Sequence, residues 1–404
     1  MRLKNNKDKQ MKILFLDVNI HYIAPTRNLV PSMLKNKFNV TIFGPGYTSE
    51  KILKDGLDQF YNKKGPFDFI LASEHMIFYK NNLKNNKGKS LFDIYSSNYV
   101  VRFPNNSLLT FFNNVFEFLH NTKVKKIITM FETDYIYLNR DKLKILENLN
   151  CYMIAEGSQL IRPSGKIKKI KHEKFSEEAT DYWAHFAKKN IKKIISVPHF
   201  VSESEFFYGD IQNRNKIINV PGVNYYHRKK AIKILQKAKI NLDSKLHMFL
   251  YSCFAKLGLK PFSNSNLLKV YNNIFNESII NSKYSFTCGS AYEFTLRKFF
   301  EIPALGSLLI MEPFNSEGKQ MLESLGYFEG KNYISCTVDK LVDKINELEK
   351  NKDYATEIAY NGQNLVFKNH SSIARSEQIF RSLNAISKGQ FKGSYWEKGE
   401  FKII

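Results

Sequence analysis

The stretch Tyr284–Ile310, YSFTCGSAYEFTLRKFFEIPALGSLLI, decides the fold. It opens with an apolar strand, Tyr284–Cys288, and passes a turn of small residues, Cys288, Gly289 and Ser290. A helix is expected over Tyr292–Ala304, and Gly306 leads into a second apolar strand, Ser307–Ile310. Strand, turn, helix and strand in this order make the crossover unit of a parallel sheet. The turn offers backbone N–H groups at the start of a helix, where the helix dipole favours a phosphate. Glu293 and Glu301 stand eight residues apart within it. Glu301, two turns beyond the small-residue turn, is placed to accept hydrogen bonds from ribose hydroxyls, as an acidic residue does in dinucleotide sites. The interval alone marks nothing, because Glu349 and Glu357 share it in a stretch that reads as a solvated helix face. The glycine turn before Glu293 and the EIPALG run after it make the difference.

The same alternation extends in both directions. C-terminal to residue 216 it predicts strands at Lys216–Val220, Leu246–Tyr251 and Tyr333–Cys336. Helices are predicted at Tyr225–Ala238, Leu267–Ile279, Val338–Leu348, Tyr354–Phe367 and Ser372–Leu383. N-terminally, strands are predicted at Lys12–Val18, Asn39–Phe43, Phe67–Ala72, Val124–Met130, Tyr152–Ala155 and Lys193–Val197. Helices are expected at Pro25–Leu34, kinked or delayed by Pro31, and at Leu108–Leu119. Continuous apolar runs are the mark of strands covered on both faces. Phe200–Asn215 has no clear period and reads as a boundary. Two Rossmann-like halves of about 200 residues follow. Ligands in such sheets bind beyond the carboxyl ends of strands, so Asp17, His21, His75, Glu132, Asp134 and His199 are the polar candidates in the first half.

Composition narrows the class. Of 404 residues 43% are hydrophobic and 14% aromatic, enough for large cores. No run approaches the roughly 18 apolar residues of a membrane span. The basic-then-apolar start is too short for a secretory leader, contains Asp17, and reads as a first strand, so a cytoplasmic location is expected. Cys151, Cys253, Cys288 and Cys336 form no CxxC pair and are expected to be buried free thiols. Lys and Arg total 61 against 38 acidic residues, a net charge of +23, with local concentrations at Lys166–Lys174, expected as a loop, and at Lys188–Lys193. That excess suits an anionic membrane surface or anionic substrates, and it also follows from a Lys- and Asn-rich composition. No RNP motif, zinc finger or helix-turn-helix is present, so no nucleic-acid partner is expected.

The segment from Tyr284 resembles the donor-binding signature of GT-B glycosyltransferases of the family-1/family-4 type. Closest is the spore-maturation-type glycosyltransferase-like branch, in which a basic residue precedes a Phe-Glu pair, here Arg297-Lys298-Phe299-Phe300-Glu301. The helix carrying His370 and Arg375 fits that branch as well. The resemblance covers Lys216–Leu383 and implies an α/β GT-B fold, two Rossmann-like domains facing across a cleft. Residues 1–205 would bind the acceptor, residues 216–383 the nucleotide-sugar donor, and residues 384–404 would return toward the first domain. It implies transfer from a nucleotide sugar, a co-substrate with no further cofactor, to a glycan or lipid-linked acceptor in surface polysaccharide or lipopolysaccharide synthesis at the inner face of a membrane. Retention of configuration and independence of metal are implied too, and the chain has no DxD triplet. Glu293 of the signature and His75, which follows the strand-end run FDFILASE, are the catalytic candidates. Gly289, Ser290, Tyr292, Arg297, Lys298, Glu301 and Arg228 are the donor-binding ones. Two departures stand out. Phe294 follows the first Glu where the family commonly has Gly, and the Arg-Lys pair for the diphosphate has several candidates, Arg228, Lys229 and Lys230 or Lys256 and Lys260. A nucleotide-sugar epimerase of the same fold and a non-catalytic sugar-nucleotide or glycan-binding protein are the alternatives.

Overall fold

A computed structural model of the chain describes residues 10–19, 25–78, 105–130, 140–155, 168–171, 178–222, 226–242, 249–250, 253, 257, 265–289 and 295–404. The first half comprises β1 (Lys12–Leu16), α1 (Pro25–Lys35), β2 (Asn39–Phe43), α2 (Glu50–Asp55), α3 (Leu57–Lys64), β3 (Phe69–Ser73), α4 (His75–Phe78), α5 (Asn105–Asn121), β4 (Lys125–Met130), α6 (Arg140–Leu149), β5 (Tyr152–Ala155), β6 (Lys168–Lys171), β7 (Glu178–Asp181), α7 (Trp183–Lys189) and β8 (Ile194–Ser196). Six strands form one sheet in the order β2-β1-β3-β4-β5-β8, and every neighbouring pair is parallel. Side chains alternate across it: Ile13 and Phe15 join one buried cluster, Leu14 and Leu16 the other. Both faces are covered, which is why these strands read as unbroken apolar runs.

The second half comprises β9 (Lys216–Asn219), α8 (Tyr226–Lys237), α9 (Ser265–Ile280), β10 (Ser282–Thr287), α10 (Lys298–Ala304), β11 (Leu308–Met311), α11 (Ser316–Ser324), β12 (Ile334–Ser335), α12 (Leu341–Lys350), α13 (Lys352–His370), α14 (Ser372–Ser387), β13 (Ser394–Glu397) and β14 (Glu400–Ile403). Its parallel sheet runs β12-β11-β10-β9. Leu242 bridges Ile218 on the far side of β9. The fold class expected from the sequence, two parallel α/β sheets in succession, is therefore the one found.

Three local expectations are corrected. Phe249 and Leu250 are helical, not part of a strand over 246–251; a short apolar run cannot distinguish the two states. The basic stretch expected as a loop contributes β6, paired antiparallel with β7. Helix α1, Pro25–Lys35 with Pro31 inside it, lies where the sequence predicts it. Helix α10 begins only at Lys298, because Thr295, β-branched and fully buried, and Leu296 lie outside any helix. Glu301 is consequently in the first turn of its helix, not two turns in. Cys151, Cys288 and Cys336 are buried and Cys253 half-buried, all with free thiols.

The chain's end lies against the first sheet. Ser196 donates its N–H to Ser394 Oγ at 2.7 Å, and Trp396 Nε1 donates to Ser196 O at 2.8 Å. Lys125 Nζ reaches Ile386 O at 2.7 Å. One apolar cluster is continuous from Phe15 and Val197 through Phe299 and Phe300 to Trp396. Among the described residues, no helix is long and apolar enough to cross a membrane.

Candidate donor site

In the second sheet the strand order reverses between β9 and β10: the chain leaves β9 toward Leu242 on one side and returns to β10 on the other. Such a switch point opens a crevice beyond the carboxyl ends of the two strands. The turns there are Val220-Pro221-Gly222 and Cys288-Gly289, and Gly222 and Gly289 are buried. Gly222 has φ +87, and a Cβ placed on it falls 2.3 Å from Lys298 Cε and 3.2 Å from Arg228 Nη1. Only a residue without a side chain lets both cations approach this backbone. Arg228 on α8 is 1% exposed, and its Nη2 donates to Thr287 Oγ1 at the end of β10, at 2.9 Å. Of the cations considered on α8, Lys229 is exposed and Lys230 pairs with Asp339 at the surface at 2.7 Å, so only Arg228 faces the switch point. Lys256 and Lys260 lie outside the described residues.

Helix α10 supplies the second part. Arg297 at its start and Glu301 one turn on form a buried i,i+4 pair through Nη1 and Oε1, and Lys298 Nζ stands 3.9 Å from Glu301 Oε2. Arg297 Nη2 also bonds Glu205 Oε1 at 2.5 Å. Burial alone pushes the Glu301 carboxyl up, but Arg297, Lys298 and His199 together outweigh it and hold the group below its usual value. Glu301 is thus ionised, and its Oε2 is a buried acceptor without a hydrogen bond among the described residues. Buried carboxylate oxygens are normally bonded, so an unmet one marks a place where a donor group belongs.

Of the residues singled out from the sequence, Gly289, Arg228, Arg297, Lys298 and Glu301 are all at the carboxyl edge of the β9–β10 region or on α10. Ser290, Tyr292 and Glu293 lie outside the described residues. His75 opens α4 directly after β3, and its side chain is outside the described set. Its backbone place is nonetheless informative: the first sheet reverses order between β1 and β3, and there Ser73 Oγ donates to buried Asp17 Oδ1 at 2.7 Å. His199 follows β8 and lies with its ring 6.4 Å from that of Phe300 on α10. Glu205 and Thr287 went unnoticed in the sequence. Glu205 carried one signal, the S-x-x-E box Ser202–Glu205, which here caps a short helical turn.

Glu349 is not the solvated residue its sequence suggests. It accepts from Lys283 Nζ at 2.9 Å and from the Tyr284 hydroxyl at 2.7 Å, tying α12 to β10. A cavity of about 650 Å³ bounded by Asp58, Tyr61, Glu117 and Lys123 lies elsewhere, at the amino-terminal approach to β3 and β4. Those are the wrong strand ends for a ligand crevice.

Residues 265–381 match the family model described as Glycosyl transferase-like, a span from α9 to α14 that contains Arg297, Lys298 and Glu301. No curated protein sequence matches the chain. Among solved structures it is similar to the HepE protein of Anabaena in complex with UDP and glucose, with a TM-score of 0.49 and 12% identity over 93% of this chain and 100% of that one. It is similar to sucrose-phosphate synthase from Thermosynechococcus elongatus, with a TM-score of 0.49 and 12% identity over 93% of this chain and 100% of that one. It is also similar to the lipopolysaccharide outer core galactosyltransferase WaaB, with a TM-score of 0.44 and 11% identity over 94% and 100%. Likeness at this level assigns no residue role. The chain thus carries a glycosyl transferase-like region at residues 265–381, within the second of two parallel α/β sheets in succession.

Proposed function

We propose that the chain transfers a glycosyl group from a nucleotide sugar to a glycan or lipid-linked acceptor of a surface polysaccharide or lipopolysaccharide, with the donor held by the second half. The observation that carries this reading is the convergence at one switch point of two glycine turns, Arg228 and Lys298, beside a buried carboxylate with an unmet oxygen. Each part suits one part of a nucleotide sugar. The backbone near Gly222 and Gly289, with no Cβ in the way, admits a diphosphate. Arg228 and Lys298 meet the negative charge that grows on it as the glycosyl bond breaks, and fixed charges that need no reorganisation are the main source of such catalysis. Glu301 Oε2 accepts from the ribose hydroxyls. Arg297 does not face the phosphate in this reading, since two carboxylates already occupy it.

The acceptor is assigned to the carboxyl edge of the first sheet, near Asp17 and His75, and the net charge of +23 accords with an anionic acceptor or an inner-leaflet surface. Transfer with retention, with Glu293 at the small-residue turn beside the sugar, completes the proposal.

Calorimetric titration with UDP, GDP, CMP and ADP tests the donor site. One of them should bind the parent protein, and at 100 times its Kd it should add about 2.7 kcal/mol of stability. Glu301→Gln keeps the size and removes the charge. It should weaken that binding by about tenfold or more, the worth of a hydrogen bond to a charged group. Equal binding by Glu301→Gln, or no binding of any nucleotide by the parent, would refute the assignment.

A further inference from the structure

The segment joining the two halves is held along its length. Val201 N–H donates to His370 O at 3.2 Å and Ser372 N–H to Val201 O at 2.8 Å. Glu203 accepts from Ser372 Oγ and from Ile373 N–H, at the start of α14. Phe207 N–H donates to Ala304 O at 3.1 Å, and Gln363 Nε2 bonds both Phe207 O and Ala304 O at 2.8 and 2.9 Å. Glu205 lies between these points. Its Oε2 accepts from Ser202 N–H at 2.7 Å and its Oε1 from Arg297 Nη2, so both oxygens are committed and the side chain is fixed. Arg297, 8% exposed, thus reaches one carboxylate on the connecting segment with Nη2 and one on α10 with Nη1.

We propose that Glu205 is a positioning residue for the donor: through Arg297 it holds Glu301 to a single-oxygen contact, leaving Oε2 for the nucleotide, and it ties occupation of the donor site to the segment between the two halves. The proposal rests on the reading of Glu301 given above. A guanidinium prefers to grip a carboxylate with both arms in a planar fork. Glu205 prevents this by occupying the second arm. With Glu205 neutral, Arg297 is free to turn onto Glu301 and take both of its oxygens. The nucleotide then competes with Arg297 for Oε2, although Glu205 touches no part of the ligand. Arrangement of one arginine between two carboxylates is the two-state element that a bound donor biases.

Four proteins decide the matter: parent, Glu205→Gln, Glu301→Gln and the double variant. Gln at 205 keeps an acceptor for Ser202 N–H and removes only the charge. Glu205→Gln should weaken binding of the nucleotide found for the parent by about fivefold to tenfold, and raise the donor KM with kcat near the parent's, the signature of uniform binding lost. In the Glu301→Gln background the same change should cost nothing further, because there is no carboxylate left to withdraw. Glu205→Asp, which keeps the charge on a shorter arm, should show an intermediate loss and serves in its place if the Gln protein melts early. Parent-like binding by Glu205→Gln, or losses that multiply in the double variant, would overturn the positioning role. Parent-like binding by Glu301→Gln instead removes the donor assignment itself, so the two failures are told apart.

Discussion

His370 offers a prediction whose size comes from the structure. The ring is fully buried at the end of α13, stacked between Trp396 at 5.0 Å and Tyr327 at 6.2 Å, with Phe300 edge-on at 5.0 Å. Its Nε2 is 3.0 Å from Leu325 O, which can only accept, and its Nδ1 is 3.2 Å from Arg375 Nη2, which can only donate. Both contacts are satisfied by one species, the neutral ring with its proton on Nε2. A second proton on Nδ1 would point at a guanidinium. Burial is the larger cause and Arg375 adds to it, against the favourable Leu325 carbonyl, so the group is pushed from 6.5 down to about 3. The folded pKa is depressed, so the unfolded chain takes up a proton below 6.5 that the native protein refuses. The stability is complete above pH 6.5 and is lost as pH falls from there toward 3. Each unit in that window costs up to about 1.4 kcal/mol, so lowering the pH from 6.5 to 5 removes about 2 kcal/mol. Urea unfolding followed by fluorescence between about pH 7.5 and 5 measures it. His370→Gln, which retains a donor toward Leu325 O but does not titrate, should be less stable at about pH 7.5 and show a shallower slope below 6.5. Equal slopes for the two proteins, or a ring protonated at about pH 6 by NMR, would refute the reasoning.

Two further outcomes are expected. Gly222→Ala should cost about 1–2 kcal/mol for the left-handed φ, push Lys298 away from the turn and weaken nucleotide binding; parent-like titration would separate this turn from the donor. Glu349→Gln loses the ionised partner of Lys283 and Tyr284 and should lower stability by about 1–3 kcal/mol with nucleotide affinity unchanged; unfolding at the parent's urea midpoint would show that the pair contributes nothing.

The strands were legible because a sheet covered on both faces demands uninterrupted apolar residues, and runs such as KILFL and FILAS have no other use in a chain this polar. The short helices α2 and α3 were not, since Gly56 splits one stretch of mixed charge into two pieces too short for a clear period. The start of α10 differs for a related reason: the apolar spacing continues back through Phe294 and Leu296, yet Thr295 and Leu296 lie outside the helix, which starts at Lys298. Glu301 stands out in the sequence because its neighbours form a pattern. Its partners were not, because Glu205 stands 92 residues from Arg297 and no local rule connects them. The reverse error occurred at Glu349, which has a surface-like sequence context and a tertiary partner 66 residues away. Local patterns reveal which residues repeat along an element, and tertiary contacts decide which charges are spent inside.

The same distinction governs how the net charge of +23 bears on function. Among the described residues, the strongly buried basic side chains of the second half are Arg228, Lys283, Arg297 and Arg375, and three of the four are arginines. Each is answered locally: Arg297 by Glu205 and Glu301, Lys283 by Glu349, Arg375 by the His199 carbonyl and Gln378, and Arg228 in part by Thr287. A planar fork with five donors can serve two acceptors on different elements at once, which an ammonium does poorly. Arginine is therefore the residue that joins α10 to the connecting segment and α14 to the end of the first sheet. Arg297 with two glutamates is one negative charge in excess, and Lys298 restores the balance. At the switch point Arg228 donates to Thr287 Oγ1 at 2.9 Å. In the donor reading proposed above, a diphosphate meets charges fixed at the β9–β10 turn in addition to the overall excess. Salt should screen binding at the lysine-rich surface strongly and binding at the buried arginine weakly.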